Sequence, residues 1–352
     1  MAPKKQSRKP VTLADIASLA AVTPMTVSRV INSSGYVRLE TRERVLRVAR
    51  EMNYRRNGLA RGLKRQRTET VGLVIGDIAN PFAAELSRGV REVLDEKGYT
   101  LFICVSEHSA KEDVQAFDSL ADHRADGIIV ATRSCNSGDE RLRELIASGI
   151  PIALIGRDFR HPHADLVAAD NLKGGYEATR HLIDLGHKRI GFIGISLTRS
   201  VGLRRFRGYQ EALTEHSLPV DEELIVGGNG SDQMPGYSTE EMGFAGMNKL
   251  LRLKKRPTAI FARNDFTAIG ALNAIKQAGL RIPADIAVVG YDDIPLASHL
   301  TPALTTVRQP TREQGRLAAQ FLLQRVEDRE RPREERTFDC ELIVRQSTRL
   351  DQ

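Results

Sequence analysis

The stretch Thr12-Leu-Ala-Asp-Ile-Ala-Ser-Leu-Ala-Ala-Val-Thr-Pro-Met-Thr-Val-Ser-Arg-Val-Ile-Asn32 reads as two short helices joined by a tight turn. Thr12 with Asp15 three residues on is an N-terminal capping pattern, and an acid in the first turn suits the positive end of the helix dipole. Leu13, Ile16, Ala17 and Ala20 recur at helical spacing and form one apolar stripe. Thr23 is a second N-cap, and Pro24 takes the first helical position, where its missing N–H costs nothing. Val27, Val30 and Ile31 make the inner side of this second helix, which leaves Pro24, Met25, Ser28 and Arg29 on the outer side. A short helix that presents its N-terminal residues and an arginine suits a DNA major groove. The plain alternative is a helical hairpin at a domain edge.

Charge favours the first reading. Residues 1–67 carry 16 Lys and Arg against 4 Asp and Glu, whereas the remainder carries 36 against 41. The net charge of +7 is thus a balance of +12 in the first fifth and −5 beyond it. Segregation this sharp points to a polyanionic partner for the first fifth alone. No apolar run reaches membrane-spanning length, and the basic start Met1-Ala-Pro-Lys-Lys-Gln-Ser-Arg-Lys-Pro10 lacks the apolar core of a secretory signal. Cys104, Cys135 and Cys340 are far apart and show no metal-ligand spacing, so they read as thiols of a reducing compartment. These features predict a cytoplasmic protein.

Working outward, residues 1–10 read as a disordered basic arm. A third helix is expected over Leu39–Met52, with Val45, Leu46, Ala49 and Met52 as its stripe. Three such helices enclose a small core of Leu13, Ile16, Val27, Val30, Val45 and Val48. Residues 53–67 hold six basic residues and two glycines, too polar for a core helix. They read either as a plain linker or as a segment that folds only on DNA.

From Val71 apolar strands alternate with amphipathic helices in two series, one over 71–155 and one over 166–289. That alternation means parallel sheets covered on both faces, and two series mean two doubly wound lobes. Ligands bind such sheets at the carboxyl ends of the strands, so two lobes place those ends across a cleft. The glycine-rich segment 221–241 reads as a strand followed by a long loop, and the last strand is expected over Thr337–Val344.

The chain resembles the LacI/GalR family of transcriptional regulators over almost its whole length. The match is carried by Thr12-Leu-Ala-Asp-Ile-Ala, Val22-Thr-Pro-Met-Thr-Val-Ser-Arg-Val-Ile-Asn32, Glu40-Thr-Arg-Glu-Arg-Val45, Leu59-Ala-Arg-Gly-Leu63, Asn80-Pro-Phe82, Leu185-Gly-His187, Arg256-Pro-Thr-Ala-Ile-Phe261, Asn264-Asp265, Val289-Gly-Tyr-Asp-Asp293 and Leu304-Thr-Thr-Val-Arg-Gln-Pro310. The resemblance implies a helix-turn-helix headpiece over 11–56, a hinge helix and linker over 57–68, and a periplasmic-binding-protein-like core over 69–352. Its lobes are expected at 69–160 with 294–323, and at 161–293 with 324–352. The return to the first lobe is expected after Asp293.

By motif match, Pro24, Met25 and Arg29 take the base-reading positions, while Thr12, Leu13, Thr23, Thr26, Ser28 and Asn32 hold the DNA backbone. Tyr36 in the following turn and Asn57 in the hinge are further candidates. Leu63 matches the leucine that wedges between central base steps, flanked by Ala60 and Lys64. Two departures stand out: Arg38 replaces the small hydroxyl N-cap common before the third helix, and Arg56 replaces a hinge proline.

In the core, the match places effector-binding candidates Phe82, Arg205, Asn264, Asp265 and Asp292 at strand carboxyl ends, although each also suits a structural cap. Gly156 stands where many sugar-binding members have an Asp before Arg157. Arg133, Arg157, Arg199 and Arg205 all fall in strand-end loops, and several arginines around one pocket suit a carboxylate or phosphate. This predicts an anionic effector such as a sugar acid or sugar phosphate. The alternative is that two of these arginines pair with Asp158 or Asp170 and line nothing.

No enzyme is expected. Gly227-Gly-Asn-Gly230 lacks the Lys-Ser/Thr ending of a phosphate loop, and His161-Pro-His163 has no Cys or Glu nearby to complete a metal site. A pure solute-binding protein is the main rival class, and the +12 headpiece argues against it. The family implies a homodimer on a two-fold operator, with no cofactor.

Overall fold

The structure is a computed structural model that describes residues 11–32, 34–54, 67–107, 109–132, 137–157, 159–196, 201–228 and 239–349. The chain divides into two compact units, Met1–Thr68 and Glu69–Gln352.

The first unit holds α1 (Leu13–Leu19), α2 (Pro24–Ile31) and α3 (Leu39–Glu51). Thr12 caps α1 reciprocally: its hydroxyl accepts from the Asp15 N–H, and the Asp15 carboxylate accepts from the Thr12 N–H at 2.8 Å. Thr23 caps α2 by accepting from the Thr26 N–H at 3.2 Å. The two helices meet at 107°, the bend of a helix-turn-helix. Ala21 turns the corner in the left-handed region, at φ 50°. Ile16, Ala20, Val27 and Val45 are fully buried between the helices, and Arg44 Nε donates to the Ala20 carbonyl at 3.0 Å, tying α3 to the turn. Arg38, at the N-cap of α3, makes no side-chain cap. Leu46, expected in its stripe, is 38% exposed.

The second unit contains two six-stranded sheets. In chain order its elements are β1 (Thr70–Ile75), α4 (Pro81–Glu96), β2 (Thr100–Val105), α5 (Ala110–Asp122), β3 (Gly127–Ala131), α6 (Ser137–Ala147), β4 (Ile152–Ile155) and β5 (Ala164–Ala169). Then come α7 (Asn171–Asp184), β6 (Ile190–Ser196), α8 (Val201–Glu215), β7 (Ile225–Gly228), α9 (Thr239–Leu251), β8 (Ala259–Ala262), α10 (Asp265–Gln277) and β9 (Ala287–Asp292). The chain closes with β10 (Thr305–Arg308), α11 (Thr311–Glu327), β11 (Glu335–Phe338) and β12 (Glu341–Ile343).

The first sheet has the order β11-β5-β4-β3-β1-β2 and is parallel throughout. The second has the order β12-β10-β9-β8-β6-β7 and is parallel except for β12. Each sheet buries an apolar cluster on both faces, as continuous apolar runs such as Val71-Gly-Leu-Val-Ile75 require.

This pairing draws the lobe boundaries differently from the sequence. β5, expected in the second lobe, extends the first sheet; β10, expected in the first, sits in the second. The chain therefore returns after Arg308 rather than after Asp293. The single strand expected over Thr337–Val344 is two strands, β11 in the first sheet and β12 in the second, parted at Asp339 and Cys340. Apolar alternation marks a strand but carries no information on which sheet edge receives its hydrogen bonds.

Glycines let the helices carrying the site approach closely. A Cβ at Gly89 would overlap the Arg312 carbonyl and one at Gly315 the Leu86 carbonyl, so α4 and α11 touch backbone to backbone. Gly175 and Gly208 do the same for α7 and α8, which brings Arg205 onto the interlobe crossover.

Candidate nucleic-acid interface and effector cleft

In the headpiece, the outer side of α2 is open. Pro24, Met25 and Arg29 are exposed, Met25 by 66%. Thr23 and Thr26 hydroxyls lie 3.0 Å apart, and Asn32 donates to the Ser28 hydroxyl at 3.2 Å. Thr12 and Asn32 are exposed, Leu13, Thr26 and Ser28 are half-buried, and Tyr36 is 88% exposed. Hydroxyl and amide groups thus border the apolar tip of Pro24 and Met25, with the Arg29 guanidinium at the side. Asn57, Ala60, Leu63 and Lys64 lie outside the described residues, as do Arg133 and Arg199.

In the core, the carboxyl ends of β1, β3, β4 and β5 open into a recess whose polar lining is Asp77, Asn80, Asn171, Gln309 and Gln314, with the Phe82 ring as its largest apolar wall. Asn80 caps α4 by accepting from the Phe82 N–H at 3.0 Å, which fixes that ring at the cleft. Phe82 and Gln309 also line an adjoining recess that contains Asp292.

Arg205 reaches the same crossover from α8 and is 2% exposed. Its Nε donates to Asn171 Oδ1 at 2.8 Å, one terminal nitrogen donates to the Arg263 carbonyl at 2.5 Å, and the other to Asp292 Oδ1 at 3.1 Å. Gln309 donates to the same Asp292 oxygen at 2.7 Å, and Gln314 to Gln309 at 3.4 Å. Groups from four segments, at 171, 205, 292 and 309, converge there. Asn171, Gln309 and Gln314 lay outside the sequence candidates. The signal for Gln309 was its place beside Pro310 in a matched motif, and for Asn171 its place directly after a strand end.

Other candidates are placed elsewhere. Arg157 is 5% exposed and turned into the first lobe. It donates to Asp139 at 2.8 Å, to Asp113 at 3.3 Å and to the Thr132 hydroxyl at 3.0 Å. It therefore pairs with carboxylates; of the two expected, Asp158 lies outside the described residues, and Asp170 caps α7 by accepting from the Lys173 N–H. Asn264 caps α10, its Oδ1 taking the Thr267 N–H at 2.9 Å and hydroxyl at 2.6 Å. Asp265 is fully buried behind β9 and borders neither recess. Burial, reinforced by the charge of Asp292, pushes its carboxyl well above the usual carboxylate range. Among the described residues no cluster of His, Cys, Asp and Glu could hold a metal, and no single helix is long and apolar enough to cross a membrane.

A helix-turn-helix unit joined to a two-lobed core with a polar cleft at its strand ends defines a DNA-binding regulator with a small-molecule site. The family profile described as bacterial regulatory proteins, lacI family, matches residues 12–57, and the periplasmic binding protein-like domain matches residues 179–348. The ribose operon repressor of Haemophilus influenzae is 39% identical over 90% of this chain and 92% of its own. The repressor PurR of Aliivibrio salmonicida is 34% identical over 96% and 98%. Among solved structures, the lac repressor dimer bound to operator and the anti-inducer ONPF superposes with a TM-score of 0.83 at 28% identity, covering 97% of this chain and 99% of that one. A LacI-family regulator from Enterococcus faecium with bound ribose gives 0.69 at 28% identity, covering 79% and 98%. The chain belongs to the LacI family of transcriptional regulators, which are DNA-binding proteins and not enzymes.

Proposed function

We propose that the protein is a repressor that binds a two-fold operator as a homodimer and is controlled by a sugar-class effector held between its core lobes. The observation that carries this is the convergence of Arg205, Asp292, Asn171 and Gln309 beside the Phe82 recess. Few polar groups at strand ends around an apolar wall is how such pockets orient a small ligand. Relatives named for the ribose operon and a neighbour with bound ribose support a sugar. The anionic variant, a sugar acid or sugar phosphate, rests on Arg133 and Arg199, because Arg157 and Arg205 already face carboxylates. Calorimetry of the full chain against D-ribose, D-ribose 5-phosphate, D-glucuronate and adenine tests the class. Saturable heat with one of the sugars supports it, and binding to adenine alone overturns it.

On DNA, Pro24, Met25 and Arg29 read bases, Thr12, Leu13, Thr23, Thr26, Ser28 and Asn32 hold the backbone, and Tyr36 is a further contact. Asn57, Ala60, Leu63 and Lys64 act in the minor groove. The second copy seats on the β2 edge. That strand, Thr100-Leu-Phe-Ile-Cys-Val105, carries no charge and no proline, and leaves Phe102, Ile103 and Val105 46%, 43% and 38% exposed. An unguarded apolar edge of this kind is covered in a folded assembly. Phe102→Asp should give a monomer in sedimentation analysis, and a dimer at the wild-type concentration dependence would refute this surface.

A further inference from the structure

Asp292 and Asp293 are successive non-glycine residues in the left-handed half of backbone space, at φ 108° and 51°. Such conformations are strained and persist only where the surroundings over-determine them. Four side chains from elsewhere do so. Arg345 and Arg308 grip the Asp293 carboxylate at 2.6 and 2.7 Å. The turn's backbone is held by Asp265 of α10: the Ile294 N–H donates to its Oδ2 at 2.8 Å. The Asp293 N–H donates to the Thr306 hydroxyl at 3.3 Å, which in turn donates to Asp265 Oδ1 at 2.5 Å. One carboxylate therefore gathers two consecutive amides of the strained turn, one directly and one through Thr306.

As an acid in the first turn of α10, Asp265 suits the positive end of that helix, but its hydrogen bonds go elsewhere. Asn264 already caps α10, and no Lys or Arg pairs with Asp265 among the described residues. Its two oxygens look outward from the helix to β10 and to the segment after β9. Gly290 makes room for it, since a Cβ there would overlap Asp265 Oδ1. A fully buried carboxylate without a cation is costly, so its place is explained by what it holds.

We propose that Asp265 is a positioning residue for the effector cleft. It fixes the Asp292–Asp293 turn, and through it aims the Asp292 carboxylate at Arg205 and Gln309, without touching the effector. This rests on Asp292 being an effector-site residue.

The test uses amide hydrogen exchange on the full chain, comparing wild type with Asp265→Asn and Thr306→Val. The first substitution puts a donor where one of the two acceptor oxygens stood, and the second removes the relay while keeping side-chain shape. Loss of these buried hydrogen bonds should speed exchange at Asp293 and Ile294 about tenfold or more. Protection of α10 and β9 and the melting temperature should stay as in wild type. Unchanged exchange at the turn in both variants overturns the proposal. Protection lost across α10 and β9 overturns it too, because Asp265 would then serve the general fold. Asp292→Asn separates the two readings. It should retain wild-type exchange at the turn while losing the calorimetric response to D-ribose, D-ribose 5-phosphate or D-glucuronate. If it keeps that response, the effector reading of Asp292 fails whatever Asp265 does. A crystal structure of Asp265→Asn with Asp292 still on Arg205 would likewise refute the positioning role.

Discussion

Arg205 and Asp292 form a nearly dry ion pair across the second lobe, 3.1 Å apart with side chains 3% and 4% exposed, and the same guanidinium lies 3.5 Å over the Tyr291 ring. The pair is held in place by partners on both sides, Asn171 and the Arg263 carbonyl for Arg205, Gln309 for Asp292. A buried pair contributes little net stability, but removal of one partner leaves a charge stranded, at about 3–5 kcal/mol. Arg205→Leu should therefore lower the stability of the core by that amount in urea unfolding. It should also abolish the effector's shift of operator affinity in a mobility-shift assay. A stable variant with a normal effector response would remove Arg205 from the site.

Arg157 is expected to behave in the opposite way. Its partner Asp113 is completely buried, with one carboxylate oxygen that no described group satisfies. Arg157→Leu should cost about 3–5 kcal/mol by stranding that carboxylate, and adding Asp113→Leu should recover much of it. The double variant should bind effector with wild-type affinity in calorimetry. A folded double variant that had lost binding would put Arg157 back in the cleft.

What the sequence carried and what it did not divide along physical lines. The headpiece was legible because every signal in it is local: Thr12 and Thr23 cap helices within three residues of themselves, and Val27 and Val30 follow helical spacing. The two doubly wound lobes were legible from apolar runs and their spacing. Sheet membership of β5, β10 and β11 was not, because it depends on pairing between distant segments. For the same reason the placement of Arg157 was not legible. Strand-end position is visible in the sequence, but Asp113 and Asp139, which capture Arg157, lie 44 and 18 residues away. Asp265 looked like a cleft residue by its motif, and only its contacts with Thr306 and Ile294 place it behind the cleft.

Arg29 is exposed beside Met25 on the outer side of α2. Its guanidinium fork suits a guanine edge, whereas Pro24 and Met25 offer only apolar contact to thymine methyls. Arg29→Ala should relax preference at one base pair per half-site, at about 1–3 kcal/mol. Binding measured over a randomised operator library checks this. An equal loss for all sequences would make Arg29 a phosphate contact.

Acid should act on the headpiece through Asp15. Backbone and side-chain hydrogen bonds from Thr12 hold its carboxyl below the usual range. A folded value below the unfolded one gives stability that is present above the unfolded value of about 4 and is lost as pH falls through the folded one. In Asp15→Asn that acid-side loss should shrink, with a reduced but pH-independent capping box. Amide signals of Ala14–Leu19 followed by NMR between about pH 5 and pH 2 report it. A wild-type acid profile in the variant would show that another group governs α1.

The strands β11 and β12 are the outermost strands of the first and second sheets, separated by Asp339 and Cys340 alone. On the ribosome, neither lobe can acquire its last strand before the other is nearly due its own. Sheets begun at Thr70 and Ile190 both wait for their last strand, with β5 and β10 as their provisional edges, until residues 335–343 emerge. A truncation ahead of Glu335 would not yield one intact lobe and one damaged lobe. It would leave two unfinished sheets whose interior strands β5 and β10 become edges open to chaperones, proteases and neighbouring chains.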